Sequence, residues 1–537
     1  MKPSESDAQA PLRRFVYGLL IVCCAATLVG RIWTVSSVWT GRAGHLGSAM
    51  LSANDRSRWC TIRSLVHYGT YRIDQVVFDS DGKRNREWYT IDMVQHRGRD
   101  GRQHYYSSKP PLLPTLLAGK VWLFRQLTGA SLENQPHYVQ RLMLMTTNVL
   151  PLIVYFVLLA VLVEQLGGTD WGRLFVMTVA TWGTFLTTFG VTLNNHLPAA
   201  ISVLIATYAG LKIVRDQEQR VSYFALAGFF AAFAVANELP ALAFFGMVAC
   251  VLLWRAPRRT LLAFFPSAAV VASGFFLTNY VAHGDWRPPY AHRHDGPVRA
   301  TLPADLVSQF QPGPLPQTLH ARLKAAAIEV SAEASLSESD QPGRWILWDP
   351  PSQQRYALVP GTSGLELRSW DNWYEYEGTY WTPAKKSGVD RGEPSRGVYA
   401  FHTLLGHRGI FSLTPVWLLS FVGIGIWLIR GETSLRGLAV IVLALTVICL
   451  TFYIMRPQAD RNYGGVSAGF RWMFWFIPLW LICLLPAADA ISRKGSLRAV
   501  GWMLLFASVL SASFASLNPW SQSWIFNYWT EMGWIQY

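Results

Sequence analysis

Several short stretches of this chain place chemistry-bearing residues where apolar runs end. Glu238, in Asn237-Glu238-Leu239-Pro240, falls at the turn between two such runs. A carboxylate near membrane depth is costly unless it is paired or used, and a carboxylate so placed can take a proton from a hydroxyl. A helix-end glutamate in water is the simpler alternative. Arg461-Asn462-Tyr463-Gly464-Gly465-Val466-Ser467-Ala468-Gly469-Phe470-Arg471-Trp472 sets two arginines around small residues just before another apolar run. Guanidinium groups and exposed backbone N–H groups in such a segment can hold a phosphate; a plain connecting turn is the alternative. His196, in Leu193-Asn194-Asn195-His196-Leu197-Pro198, can ligate a metal, donate to an acceptor, or sit as a hydrogen-bonded interface histidine. Asp55, in Asn54-Asp55-Arg56-Ser57-Arg58-Trp59, reads alone as a helix N-cap. Lys109, before Pro110-Pro111-Leu112, reads alone as an interface lysine.

The elements that hold these residues are set by composition. The 537 residues are 51% hydrophobic, 14% aromatic and only 15% charged, with a net charge of +14. A soluble domain carries about 25% charge, so a soluble enzyme and a disordered chain are both disfavoured. The chain reads as a polytopic membrane protein with sizeable polar loops. Its basic excess belongs to membrane flanks, and no nucleic-acid motif is present. Cys23, Cys24, Cys250, Cys449 and Cys483 lie in apolar runs and only Cys60 in a polar loop, so neither a disulfide framework nor a zinc spacing is present.

The first apolar run, 15–35, follows Arg13 and Arg14 and is long enough to cross the roughly 30 Å hydrocarbon layer. It reads as an uncleaved anchor after a cytoplasmic N-terminus, 1–14. Ten more runs lie near 139–165, 173–193, 197–214, 222–237, 239–254, 261–280, 411–429, 437–455, 470–489 and 498–517. The segment 110–128 holds Pro110, Pro111, Pro114, Lys120 and Arg125. If it does not cross, every short connection on the N-terminal side is basic, as the positive-inside rule asks. It therefore reads as a re-entrant or interfacial helix. Eleven spans follow, divided as a first outer loop (36–138), spans two to seven (139–280), an outer insert (281–408), spans eight to eleven (409–518) and an outer aromatic tail (519–537). Within the insert, 344–359 and 365–381 alternate and are rich in Trp, Tyr and Leu, which predicts a few strands. His402 and Gly406-His407-Arg408-Gly409 read as loop ends.

The order D-x-x-R-W, then Gly69-Thr70-Tyr71, then Lys109-Pro110-Pro111-Leu112 before an apolar segment, then Arg141-Leu142 at the head of the second span, resembles the GT-C membrane glycosyltransferases. The nearest branch is that of the lipid A aminoarabinose transferase and the protein O-mannosyltransferases, and the likeness covers roughly residues 10–260. It implies a GT-C-like α-helical bundle of about 11 spans. It implies transfer of a sugar from a polyprenyl-phosphate donor to a lipid, glycan or protein acceptor on the outer face, in a bacterial inner membrane. It implies Asp55 as the catalytic base, with Arg58, Lys109 and Arg141 meeting the phosphate. Two departures stand out. Where the family carries a second acidic residue this chain has Asn195 and His196, and the acidic residue before Lys-Pro is Ser108. Glu238 is a candidate replacement for the missing acid and a neighbour of Asp55. Asn195, His196, Arg461 and Arg471 are candidate substrate contacts. A divalent metal stays open as cofactor, since the usual carboxylate ligands are missing. A transporter or flippase of a lipid-linked glycan is the rival reading, but the apolar runs carry almost no mid-span charges. A scaffold built on the 281–408 insert would not need Asp55 or Lys109.

Overall fold

The computed structural model describes residues 9–36 and 47–537. Most of the expected N-terminal cytoplasmic stretch, and the part of the first outer loop at 37–46, lie outside the described residues. The chain is mostly helical with small antiparallel sheets, and it forms two compact units. One comprises 1–55, 123–274 and 387–537; the other comprises 56–122 and 275–386.

Among the described residues, seven helices are long and apolar enough to cross a membrane: Ala10–Thr34, Pro136–Leu166, His196–Val214, Pro257–His283, Thr433–Ile454, Arg471–Ile491 and Gly495–Phe514. Three shorter apolar helices, Val221–Asn237, Leu239–Arg255 and Trp417–Arg430, accompany them. These ten coincide with ten of the eleven expected runs. The eleventh, 173–193, is broken into Asp170–Trp182 and Phe185–Phe189, because Gly183 leaves the helix and Thr184 is fully extended. Arg471–Ile491 has 78% of its apolar window buried, against 28% for Ala10–Thr34 and for Gly495–Phe514. It is the centre of its bundle, while the others turn apolar faces such as Phe15, Leu19, Phe506 and Leu510 outward. Gly423 makes one close approach possible: a Cβ there would lie 1.9 Å from the Cys483 carbonyl oxygen. Small residues let apolar helices pack this closely.

Several charges in this bundle are paired. Arg13 meets Glu164 at 2.6 Å and Asp170 at 2.5 Å, and the Tyr17 hydroxyl donates to Glu164 at 2.7 Å. The Asp489 carboxylate accepts the N–H groups of Gly168 (2.7 Å) and Thr169 (2.8 Å) at the start of helix Asp170–Trp182, where a negative charge complements the helix dipole.

The second unit holds a hairpin, β1 (Met93–Arg97) and β2 (Gln103–Ser107), and a six-stranded antiparallel sheet. The six strands are β3 (Val298–Leu302), β4 (Gly313–Pro314), β5 (Ser335–Glu338), β6 (Trp345–Asp349), β7 (Gln354–Gly361) and β8 (Gly364–Ser369), in the order β3-β8-β7-β6-β5-β4. Alternation works as expected in β6, where Trp345, Leu347 and Asp349 are buried. The buried face joins Leu319 and Leu323 of helix Gln317–Ala325 to Leu336, Leu347, Leu358 and Leu367. The expected strand over 365–381 ends at Ser369. Beyond it the aromatics pack singly: the Trp373 ring stacks on His292 at 3.4 Å and lies 4.1 Å from His96.

Candidate functional site

Asp55 sits in the first turn of helix Ala53–Tyr68 and is fully buried. Its Oδ1 accepts the Ser52 N–H at 2.8 Å and the Ser52 hydroxyl at 3.1 Å. In return Ser52 Oγ accepts the N–H groups of Asn54 (3.1 Å) and Asp55 (3.3 Å). This is a capping box with aspartate in place of glutamate: Ser52 is the N-cap, and Asp55, which alone reads as the cap, is its reciprocal partner three residues on. Oδ2 does more. It accepts the Leu51 N–H at 2.9 Å and the Thr192 hydroxyl at 2.6 Å, across 137 residues of sequence. Four donors of this kind favour the ionised carboxylate.

From Thr192 a polar string continues through the same unit. The Trp520 indole N–H donates to Thr192 Oγ1 at 3.1 Å, and the Arg471 guanidinium lies over the Trp520 ring at 4.8 Å. Arg471 Nη1 donates to His196 Nε2 at 2.9 Å. Because arginine can only donate, His196 keeps its proton on Nδ1, which faces a Glu238 carboxylate oxygen. Asn195 Nδ2 also donates to Glu238, at 2.7 Å, and to the Asn237 carbonyl at 2.8 Å. Glu238 is buried at the break between helices Val221–Asn237 and Leu239–Arg255. Asp55 and Glu238 are thus joined by Thr192, Trp520, Arg471 and His196, all at turns between apolar helices.

Arg471 is aimed by the glycines before it. Its Nε and Nη2 donate to the Gly464 carbonyl at 3.1 and 2.5 Å. Gly464 and Gly465 have φ of +81° and +79°, and a Cβ on Gly464 would come within 2.9 Å of Arg471 Nε. Only glycine accepts both conditions cheaply.

Two expected phosphate ligands are otherwise employed. Arg141 is fully buried and donates to the carbonyls of Trp33 (3.0 Å), Val35 (2.6 Å), Gly47 (2.8 Å) and His137 (3.0 Å). Arg461 donates to the carbonyls of Glu393 (2.7 Å), Arg456 (3.0 Å) and Pro394 (2.5 Å). Each has its Nε and both terminal nitrogens committed to backbone, so each clamps chain segments rather than presenting a free fork to an anion.

In the second unit, Arg58 is buried on helix Ala53–Tyr68, one turn after Asp55. Lys109 Nζ pairs with Asp92 at 3.0 Å. The Asp92 carbonyl accepts the Ser108 N–H at 3.2 Å and the Ser57 hydroxyl at 2.5 Å. The lysine before the prolines therefore has a carboxylate partner, supplied 17 residues upstream instead of by position 108.

Thr192, Trp520 and Asp92 are the members that sequence reasoning missed. None carries a motif, and only Trp520 has a sequence signal, as part of the outer aromatic tail. Within that tail Trp520 packs on Phe189 and the Tyr537 hydroxyl meets His407 Nε2 at 2.8 Å, while Trp524, Tyr528 and Trp534 stay exposed. His402, His407 and Arg408 are likewise buried. Burial pushes His402 down to about 4, and burial together with the neighbouring His402 and Arg408 pushes His407 down to about 2. Among the described residues no three His, Cys, Asp or Glu side chains converge as a metal site. Around His196 and Glu238 the metal-type donors are one imidazole and one carboxylate, and Arg471 Nη1 occupies the imidazole Nε2.

No protein-family model matches this chain, and no curated protein matches it. Two solved structures are similar to it. The oligosaccharyltransferase of Archaeoglobus fulgidus, in its apo form, superposes with a TM-score of 0.42 at 11% identity over 94% of this chain. The chain spans 56% of the length of that protein. The S. cerevisiae protein O-mannosyltransferase Pmt1-Pmt2 complex bound to the sugar donor gives a TM-score of 0.41 at 12% identity, over 97% of this chain and 92% of that one. Similarity at this level assigns no family, and the function has to be argued from the residues of the site.

Proposed function

We propose that this chain is a membrane glycosyltransferase of GT-C architecture, moving a sugar from a polyprenyl-phosphate donor to an acceptor hydroxyl on the outer face of the membrane. The observation that carries this reading is the buried string from Asp55 to Glu238, which gathers carboxylates, a neutral histidine and an arginine where apolar helices end. A donor carried on a polyprenyl chain would bring its phosphate to such a depth.

In the proposed reaction the acceptor hydroxyl replaces the Thr192 hydroxyl at Asp55 Oδ2. Its oxygen attacks the anomeric carbon as its proton passes to the carboxylate. The bond from that carbon to the phosphate oxygen breaks, and polyprenyl phosphate leaves with both electrons. Arg471 is the cation suited to the departing phosphate. When its Nη1 turns to phosphate, His196 Nε2 is released as an acceptor while Glu238 holds Nδ1–H. His196 then supports the acceptor or donor sugar by hydrogen bonding.

The test is release of polyprenyl phosphate from a polyprenyl-phosphate sugar by purified protein, with membrane extract as acceptor source. Asp55→Asn keeps the size and much of the cap. It is expected to remove at least about 100-fold of the release, the range of a lost general base. Wild-type release by a well-folded Asp55→Asn protein would remove Asp55 from the mechanism, and no release by the wild type over a set of sugar donors would overturn the transferase reading.

A further inference from the structure

A cavity of about 590 Å³ lies between helices His196–Val214, Leu242–Arg255 and Thr433–Ile454. The proposed transfer does not use it. Its walls are apolar, among them Leu211, Val248, Val251, Leu438 and Ile441. Gly210 and Gly437 also line it, and a Cβ at either would meet nothing within 4 Å. Its polar end holds Arg215, Gln217, Arg255 and Glu432. Arg215 and Arg255 stand at the far ends of helices whose other ends carry His196 and Glu238. A helix of 19 residues, such as His196–Val214, is roughly 28 Å long, so this mouth is remote from the candidate site.

The charges at the mouth do not cancel. Arg215 Nε pairs with Glu432 at 2.7 Å, and Lys212 with Asp216 at 2.6 Å. Arg255 bonds to the neutral Gln217 side chain and has no carboxylate partner among the described residues. Arg258 and Arg259 follow directly. An apolar slot that ends at an unneutralised arginine, in the basic belt of a membrane protein, matches one chemistry: an acyl chain attached to an anionic phosphate.

We infer that this cleft is a binding site for an anionic phospholipid of the leaflet on the basic side, with one acyl chain between the three helices and the phosphate on Arg255. The two glycines keep the slot open for a narrow chain. Arg215 stays with Glu432 and borders the head group.

The experiment is native mass spectrometry of the full chain, released from nanodiscs of a phosphatidylglycerol or a phosphatidylcholine of identical acyl chains. One phosphatidylglycerol is expected to stay bound per chain, at about tenfold lower lipid concentration than phosphatidylcholine. Arg255→Gln should abolish that preference. The double change Gly210→Leu with Gly437→Leu should abolish retention of either lipid. Leucine is a better helix former than glycine, and both sites have room, so the filled variant should elute as the wild type does. Equal retention of the two lipids by the wild type, or wild-type retention of phosphatidylglycerol by the filled variant, would overturn the proposal. So would a chain that retains no lipid but forms a dimer that the filling disrupts. None of these outcomes bears on sugar transfer.

Discussion

At the scale of single residues, the site separates charges that are committed from charges that can act. Arg141 and Arg461 are committed to backbone carbonyls alone, whereas Glu238 holds a histidine whose other nitrogen accepts from the Arg471 side chain. Glu238→Gln keeps an acceptor for His196 Nδ1–H but removes the charge. If the Glu238–His196 pair supports transfer, kcat should fall about 100-fold with little change in donor KM, and the acid limb of the pH profile should move. An unchanged pH profile with a small uniform loss would make Glu238 a packing residue. Lys109 gives a second test, through its pair with Asp92. Removing one partner leaves a buried charge uncompensated, so Lys109→Met alone should destabilise the protein. Lys109→Met combined with Asp92→Asn should restore stability. The donor-phosphate role that the resemblance implies for Lys109 predicts that donor KM stays raised about 10–100-fold in the double variant, the worth of a charged hydrogen bond. Recovery of KM together with stability would make the pair structural.

At the scale of elements, legibility followed the physics. Ten apolar helices were visible because each is a continuous apolar run of sufficient length. The break at Gly183 and Thr184 was not, because hydropathy there stays high. Strands β6, β7 and the start of β8 showed in their alternation, whereas β4 is two residues long and offers no period to read. Glu238 was visible as a carboxylate in a costly place, and Asp55 only through the order of motifs around it. Thr192 and Asp92 were not, since a lone threonine or aspartate has no signature until the chain folds. The ring cluster in which Trp373 packs on His292 and on His96 of β1 shows the same limit. His96 is buried, stacked on Tyr106 at 4.2 Å and hydrogen-bonded to His283 at 3.0 Å. Burial lowers its pKa to about 4, with the Arg97 carbonyl opposing and His292 assisting. In the unfolded chain a histidine titrates near 6.5. Above that pH both states are neutral and His96 costs nothing. As pH falls from about 6.5 towards 4 the unfolded state gains the proton first, so stability is lost over that window. The loss is on the order of 3 kcal/mol at most. Melting temperatures followed by tryptophan fluorescence should therefore fall across this window, and His96→Gln should flatten the decline. An identical slope in His96→Gln would assign the acid lability elsewhere.

At the scale of the whole molecule, sidedness decides whether the proposed chemistry can face the donor. Val221–Asn237, counted among the spans, has 17 residues, and helix Leu112–Thr128 has the same number, so charge and not length decides whether the latter crosses. It carries Lys120 and Arg125, and charges inside a span are costly. If it crossed, the connections holding Lys212, Arg215 and Arg220, then Arg255, Arg258 and Arg259, then Arg493, Lys494 and Arg498 would all change sides, against the rule that basic turns stay cytoplasmic. The prediction is that its two flanks share one side and the basic turns share the other. Arg102 and Thr128, in the flanks, are exposed, as are Gln219 and Ser496 in basic turns. In a background with the exposed Cys23 and Cys250 changed to alanine, a membrane-impermeant thiol reagent applied outside intact cells should label cysteines at 102 and 128. Cysteines at 219 and 496 should react only after the membrane is opened. Ser108 and Ser131 are buried and make poor reporters, because a lack of labelling there would reflect packing. Protection of position 128 with labelling of 102 would mean that this helix crosses. It would also place the turns carrying Thr192 and Glu238 on the cytoplasmic side, where transfer on the outer face could not occur.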